Sequence, residues 1–259
     1  MATLKGKTAI VTGSSRGIGR AIAQRLARDG ARVVVCARSA DALKDTVREI
    51  TSAGGAAVAL ALDLREADAG ARVVDFALKN YGALDIVVNN AGATRRGEFV
   101  KLSDEDWAES FALKFFGAVR VTRAAWPHLQ KSKGTVVFIS GAGGRTPGAE
   151  FAAGGSVNAG LLSLTKALAE AGIRDGVQVN CVNPGTVRTD RLKLRLAETM
   201  KAKGIDQATA ESQFVSASNV TRIGEPEDIA ALVAFVVGDE GRFLQGSLID
   251  IDGGATKTV

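Results

Sequence analysis

The sequence predicts a doubly wound α/β fold, in which one parallel β-sheet is covered by helices on both faces. Short, nearly continuous apolar runs recur along the chain, as is typical of strands that are buried on both faces. Longer helical patterns separate these runs, so strand and helix alternate. The chain has 259 residues, of which 46% are hydrophobic, and no linker or repeat divides it. We therefore expect residues 1–259 to form a single domain with a substantial core.

Each predicted strand is a short run rich in β-branched residues. The predicted strands are 8–12, 33–36, 57–61, 86–88, 135–139, 177–180 and 248–251. Between them the longer patterns predict helices at about 17–29, 40–53, 66–81, 104–130, 153–171 and 226–237. Ser103, followed three residues later by Asp106, marks the expected start of the fourth helix.

One segment, at about 188–222, breaks the alternation. It is polar, charged and helix-prone, and it follows the Pro184-Gly185 break after a predicted strand. Functional loops gather at the carboxyl edge of a parallel sheet, so we expect this segment to be a helical substrate lid. A surface insertion without function remains the alternative interpretation.

Composition and charge restrict the classes of partner. The net charge of +5 is spread along the chain, without the basic stripe or interleaved aromatic residues expected for nucleic-acid binding. It is compatible with an anionic cofactor or substrate. No apolar run reaches the length of a membrane span, and no metal-ligand spacing is present. Cys36 and Cys181 both lie in apolar strand patterns, which favours core thiols and a cytoplasmic protein.

A glycine-rich turn joins the first strand to the first helix. Gly13 allows a tight turn, Gly17 allows the backbone to approach a pyrophosphate, and Gly19 allows close packing of the helix. The free N–H groups and dipole of the helix N-terminus favour a bound phosphate. The turn therefore predicts dinucleotide binding by Gly13, Ser15, Arg16, Gly17, Ile18 and Gly19.

The end of the second strand predicts which dinucleotide is bound. A carboxylate at this place would bond the adenosine ribose and repel a 2′-phosphate, but the sequence has Ala37 followed by Arg38. Arg16 lies in the glycine turn, and two guanidinium groups converging on a phosphate would bind it well. We therefore expect NADP(H) to be favoured over NAD(H).

With these motifs the chain resembles the short-chain dehydrogenase/reductase family over almost its full length. The resemblance rests on 12–19, Asp63-Leu64, 89–92, 183–185 and 252–254. It implies a Rossmann-type fold, an oxidoreductase activity and a homodimer or homotetramer built on helices 104–130 and 153–171. It also implies that the adenine lies between Asp63 and Leu64, and that other residues line the cofactor cleft and hold the nicotinamide, namely Asn90, Ala91, Gly92, Pro184, Gly185, Val187 and Thr189.

The sequence departs from the family at its Asn-Ser-Tyr-Lys catalytic tetrad. The tyrosine position holds Gly154, the lysine position Asn158, the serine position Gly141 and the asparagine position Lys114. The two glycines provide no side chain, so we expect extra room beside the nicotinamide. The chain has one tyrosine, Tyr81, which is expected to pack or cap a helix end. Its one histidine, His128, is expected to be a surface or satisfied residue.

Lys114 and Asn158 are the candidate catalytic residues. We hypothesise that the Lys114 ammonium reaches the place of the absent lysine, binds the nicotinamide ribose and serves as proton donor if burial lowers its pKa. The alternative is that Lys114 points elsewhere and Asn158 only starts a helix. Further polar residues for which a structural role is favoured are Ser140, Glu150, Ser156, Arg95 and Arg96. The resemblance implies that the loop with the two arginines borders the cleft, where they could meet an anionic substrate.

Two functions remain open on the sequence alone. The first is an atypical NADP(H)-dependent oxidoreductase acting on a small molecule, either an activated C=C bond or a carbonyl group. Reduction of an activated C=C bond tolerates loss of the tyrosine better than ketone reduction does. The second is a catalytically silent NADP(H)-binding sensor or a partner subunit of an active homologue.

Overall fold

The computed structural model describes residues 4–258, which form one seven-stranded parallel sheet with helices on both faces. The strands are β1 (Thr8–Thr12), β2 (Arg32–Ala37), β3 (Ala56–Ala61), β4 (Ile86–Asn89), β5 (Thr135–Ile139), β6 (Gln178–Pro184) and β7 (Leu248–Ile251). Their order across the sheet is β3-β2-β1-β4-β5-β6-β7. The predicted fold class is therefore confirmed.

The helices follow the predicted alternation with some changes of length. Within residues 4–258 they are α1 (Gly17–Arg28), α2 (Ala40–Ser52), α3 (Ala69–Tyr81), α4 (Asp104–Phe111), α5 (Gly117–Ser132), α6 (Ala152–Asp175), α7 (Asp190–Lys203), α8 (Gln207–Ser218) and α9 (Pro226–Val237). α3 begins later than predicted because the chain turns tightly after Asp63, where the Glu66 N–H bonds the Asp63 carbonyl. α6 extends to Asp175, beyond the predicted end.

The single helix predicted at 104–130 is interrupted. Its start is as expected, because Ser103 and Asp106 form a capping box at α4. At Ala112–Phe116, however, the chain widens into a π-helical turn before α5 continues. Such turns are rare and are found frequently at functional sites. This one places Lys114 at its centre.

Alternating strand residues supply two hydrophobic layers, one on each face of the sheet. Ala9 and Val11 of β1 pack on one face with residues of α1 and α9. Ile10 lies between them in sequence and packs on the opposite face with residues of α3, α5 and α6. Both cysteines are buried free thiols, as predicted. No helix within residues 4–258 is long and apolar enough to cross a membrane.

The strand order places a crevice above β1 and β4. β1 pairs with β2 on one side and with β4 on the other, so the connections leave this point in opposite directions. In sheets of this type, ligands bind in the crevice beyond the carboxyl ends of such strands. Residues 188–222 contain α7 and α8, which share a small hydrophobic cluster of their own made by Leu192, Leu196, Ala210 and Ile223.

Candidate functional site

A cleft of about 660 Å³ lies at the carboxyl edge of the sheet, within the size range of cofactor and ligand sites. It is bordered by the glycine turn, by the segments that follow β2, β4, β5 and β6, and by the start of α7. Most of the residues expected to bind the cofactor line it, namely Gly13, Ser15, Arg16, Gly17, Ile18, Gly19, Arg38, Leu64, Asn90, Ala91, Gly92, Pro184, Gly185, Val187 and Thr189.

The glycine turn is packed directly against backbone. A Cβ atom on Gly13 would lie 2.8 Å from the Cα of Ala91, and the φ of Gly13 is +66°. A Cβ on Gly19 would overlap the Gly13 carbonyl. Asn90 secures the turn, because its Nδ2 donates to the carbonyl oxygen of Thr12 at 2.9 Å. Only glycine fits these close approaches of one backbone segment to another.

The N-terminus of α1 faces this turn. Its N-cap residue, Arg16, makes no side-chain hydrogen bond to the first turn of the helix, so N–H groups remain for an anion. A narrow glycine cradle with these N–H groups fits the pyrophosphate of a dinucleotide.

The adenosine end of the cleft carries two arginines. Arg16 and Arg38 both line it, and Arg16 lies 3.9 Å from Asp190 in an exposed pair. Asp63 is not a lining residue: its Oδ2 accepts from Arg65 Nη2 at 2.6 Å. Arg65, together with the charge of Arg38, lowers the pKa of the Asp63 carboxyl.

Lys114 and Asn158 lie in contact at the floor of the cleft. Lys114 Nζ donates to Asn158 Oδ1 at 2.6 Å and to the carbonyl oxygen of Ser140 at 2.7 Å. The Ser140 hydroxyl donates to the carbonyl of Asn158 at 3.0 Å, which ties α6 to the end of β5. Burial lowers the pKa of Lys114 to about 8, since the charged form loses hydration.

Two local features give Lys114 this position. The π-helical turn shifts its side chain relative to a regular helix, and Gly92 leaves space for its aliphatic stem. A Cβ atom on Gly92 would lie 2.8 Å from Lys114 Cδ, closer than real Cβ contacts. Gly92 and Lys114 therefore fit together as a pair, which the sequence motif alone does not reveal.

The extra room expected at Gly154 is not there. The ring of Phe151 packs against Gly154 so closely that a Cβ atom at this glycine would overlap it. Gly154 itself does not border the cleft, whereas Phe151 does. At Gly141, which lines the cleft, a Cβ atom would lie 3.0 Å from Asn158 Nδ2. An aromatic ring thus occupies the space beside Gly154.

Other sequence candidates lie away from the reactive floor. Tyr81 packs in the core beneath the Arg32 guanidinium, 5.2 Å from its ring centre. Arg95 is paired with Asp106 at 3.3 Å outside the cleft. His128, Glu150 and Ser156 do not line the cleft. Glu150 and Ser156 are exposed.

Among the cleft residues that sequence reasoning missed are Phe151, Arg191 and Arg195. Phe151 precedes Gly154 by three residues, a spacing that brings side chains together at the start of a helix. Arg191 and Arg195 are four apart in the helix-prone segment, so they share one face of α7. These two spacings are the sequence signals from which the contacts could have been predicted.

Comparison with known proteins identifies the relatives of this architecture. Residues 7–199 match the family described as short chain dehydrogenase. An L-rhamnose 1-dehydrogenase (NAD(P)(+)) of Azotobacter vinelandii is 33% identical over 254 residues, covering 96% of each chain. The L-sorbose reductase of Gluconobacter frateurii, solved with NADPH and L-sorbose, has a TM-score of 0.95 at 29% identity and covers 100% of this chain and 99% of its own. An actinorhodin polyketide ketoreductase solved with NADPH has a TM-score of 0.92 at 30% identity, with both chains fully covered.

Proposed function

Since this chain belongs to the short-chain dehydrogenase/reductase family, we propose that it is an NADP(H)-dependent oxidoreductase in which Lys114 replaces the family's tyrosine as proton donor. The contact of Lys114 with Asn158 and Ser140 is the observation that carries the proposal. This contact holds a lysine whose pKa is lowered by burial at the floor of the cleft, which supports a role for Lys114 as proton donor.

The cleft residues suit NADP(H). The glycine turn and the N-terminus of α1 would hold the pyrophosphate, and Arg16 and Arg38 would hold the 2′-phosphate. When bound, NADPH supplies a hydride. Two solved relatives contain NADPH, and the end of β2 carries Ala37 and Arg38 instead of a carboxylate that would repel a 2′-phosphate, which supports a preference over NAD(H).

The hydrogen bonds of Lys114 suit a group that loses and regains one proton. An ammonium has three N–H donors, and the structure describes two acceptors for it, Asn158 Oδ1 and the Ser140 carbonyl. The third N–H is left for the cleft. A neutral amine keeps two N–H groups, so both bonds to the protein survive after the proton is given up. Lys114 can therefore donate without losing its position.

The substrate oxygen is the group that Lys114 would serve. As the carbon of a carbonyl, or the far carbon of a conjugated C=C bond, accepts a hydride, negative charge develops on oxygen. The Lys114 ammonium would stabilise that charge and protonate the alkoxide or enolate. The amine would then regain its proton from water. We propose that α7 and α8, within 188–222, form a lid that excludes bulk water during this step.

We also propose a cytoplasmic homodimer or homotetramer formed through α4, α5 and α6. Phe116 and Ile173 are exposed apolar side chains next to or on these helices, and burying them against a second copy would favour association.

A second candidate function is a catalytically silent NADP(H)-binding sensor or partner subunit. Phe151 favours it, because its ring fills the space next to Gly154 with a group that can neither donate nor accept a proton.

Replacing Lys114 by methionine separates the two functions. We expect Lys114→Met to retain NADPH binding and to lower kcat about 10²–10⁴-fold, the usual contribution of general acid catalysis. Turnover would be followed as NADPH oxidation with ketones, quinones and enoyl thioesters. In the wild type, kcat for reduction should fall as pH rises through about 8, where Lys114 loses its proton.

Lys131→Met, an exposed lysine at the end of α5, controls for the loss of one positive charge. Unchanged kcat and an unchanged pH profile in Lys114→Met would refute the role of Lys114. Tight NADPH binding without turnover of any substrate in the wild type would instead support the sensor or partner subunit.

A further inference from the structure

We propose that Arg96, Arg191 and Arg195 form a binding site for an anionic group of the substrate, a carboxylate or a phosphate ester, at the mouth of the cleft. This inference rests on the proposed function, since it places the reducible group of the same substrate at Lys114. It defines the substrate class as a bifunctional molecule with a carbonyl or activated C=C bond at one end and an anion at the other.

The three guanidinium groups come from opposite sides of the cleft. Arg191 and Arg195 lie one turn apart on α7, and Arg96 lies on the segment after β4; all three line the cleft. Arg191 reaches across it, with Nη2 3.4 Å from the carbonyl oxygen of Gly92. Arg96 lies over the Phe151 ring, 4.1 Å from its centre. An anion between them would contact both walls.

Their lack of acidic partners distinguishes these arginines from their neighbours. Among residues 4–258, no carboxylate oxygen lies within 4.0 Å of Arg96, Arg191 or Arg195. In contrast, Arg95 pairs with Asp106, and Arg188 pairs with Glu211 at 2.5 Å. Arginine on an ordinary protein surface often finds such a partner, and these three side chains face the cleft without one.

The charges also repel one another. Burial is the largest cause of the lowered pKa of Arg96, and the charges of Arg195 and Arg191 lower this pKa further. The charge of Glu150 acts in the opposite direction. Arg191 stands in the first turn of α7, where the helix dipole disfavours a cation. A bound anion would relieve both penalties and would accept bidentate hydrogen bonds. A neutral substrate would leave them in place.

The Phe151 ring explains why the site lies where it does. It fills the space next to Gly154 and presents a flat face to Arg96, which cation–π attraction holds over the ring. The residue that closes the usual catalytic position thus also supports one wall of the proposed anion site.

Binding is tested first, without turnover. The protein is saturated with NADP⁺, so that the cofactor's own phosphate sites are filled, and titrated by calorimetry with succinate and with inorganic phosphate at constant ionic strength. We expect at least one anion to bind, and the Arg191→Gln/Arg195→Gln variant to weaken it at least about 10-fold. Arg95→Gln, the neighbouring arginine paired outside the cleft, should leave binding unchanged.

The two probes distinguish a carboxylate site from a phosphate site by which binds more tightly. Absence of binding by both anions, or an equal loss in Arg95→Gln, would overturn the inference. Failure of the protein to bind NADP⁺ at all, measured beforehand, would instead overturn the proposed cofactor.

The second part of the test measures turnover. Keto acids and enoyl acids are compared with their methyl esters, and the Arg191→Gln/Arg195→Gln variant should raise KM for the acids at least about 10-fold while the esters are little affected. If anions bind but nothing is reduced, the anion site stands and the oxidoreductase proposal fails. If neutral esters are reduced as well as acids in wild type and variant, the anion site fails and the oxidoreductase proposal stands.

Discussion

The cleft has a nucleotide end, formed by the glycine turn, and a proposed reaction end, around Lys114 and Asn158. The glycines at these two ends make different kinds of contact. In the nucleotide end, Gly13 and Gly19 abut backbone atoms of Ala91 and of the turn itself, as well as the amide of Asn90. In the reaction end, Gly92 abuts the stem of Lys114, and Gly154 abuts the ring of Phe151. The first kind of contact holds the path of the chain, and the second kind only accommodates a particular side chain.

Glycines of the first kind are harder to replace than glycines of the second kind. A glycine that lies against backbone cannot be replaced without moving two segments of the fold. A glycine that lies against a side chain can exchange bulk with it, because the volume of the pair is conserved. The reaction end is therefore freer than the nucleotide end to exchange side chains, as in the pair of Gly154 and Phe151.

The largest effect on cofactor binding is expected in the nucleotide end, from Arg38→Asp. The new carboxylate would repel the 2′-phosphate and remove a charged hydrogen bond, so NADPH affinity should fall about 100-fold. NADH has no 2′-phosphate, and its affinity should change by less than about 3-fold. Fluorescence titration of both cofactors measures the two losses. Equal losses would contradict a preference for NADP(H).

A smaller effect is expected in the reaction end, from Gly154→Tyr. The new side chain overlaps Phe151, and overpacking of this kind lowers the free energy of unfolding by about 1–3 kcal/mol. Thermal unfolding should show a Tm lower by several degrees. The loss of stability comes from one local overlap, so a smaller residue at position 151 should restore part of the stability.

The matched variant is Phe151→Ala/Gly154→Tyr. We expect it to be more stable than the sum of the two single effects, by about 1 kcal/mol or more, because removing the ring makes room for the tyrosine. Additive effects would show that Phe151 does not hold the space next to Gly154.

The contrast between the two ends also explains what the sequence could predict. The strand positions, the alternation of strands and helices and the glycine turn depend on local pattern and backbone geometry, and the roles of Gly13, Gly17 and Gly19 follow from their positions between the first strand and the first helix. The break at Ala112–Phe116 could not be predicted, because a π-helical turn has the same apolar residues as a regular helix. It depends on how the chain packs around Lys114.

The side chain that occupies the space beside Gly154 could not be predicted for a similar reason. Loss of a side chain at Gly154 indicates a vacancy only if nothing else enters, and which neighbour enters depends on tertiary packing. The prediction of extra room failed because Phe151 turns its ring inward. The pairing of Lys114 with Asn158 was a hypothesis from residue types, and the structure brings the two side chains into contact.

The smallest expected effect is the contribution of Lys114 to the pH dependence of the unfolding free energy. This effect tests whether the Lys114 side chain is shielded from water. Its pKa in the folded protein, about 8, lies below its value in the unfolded chain, about 10.4. Between these values the unfolded chain binds more protons, so Lys114 makes stability rise with pH. From pH 8 to pH 9 the gain should be about 1 kcal/mol. The measurement is the difference in unfolding free energy between the cofactor-free wild type and Lys114→Met at each pH, with Lys131→Met as the charge control. A difference that stays flat across this window would mean that Lys114 is hydrated, which removes the physical basis for its use as an acid near neutral pH.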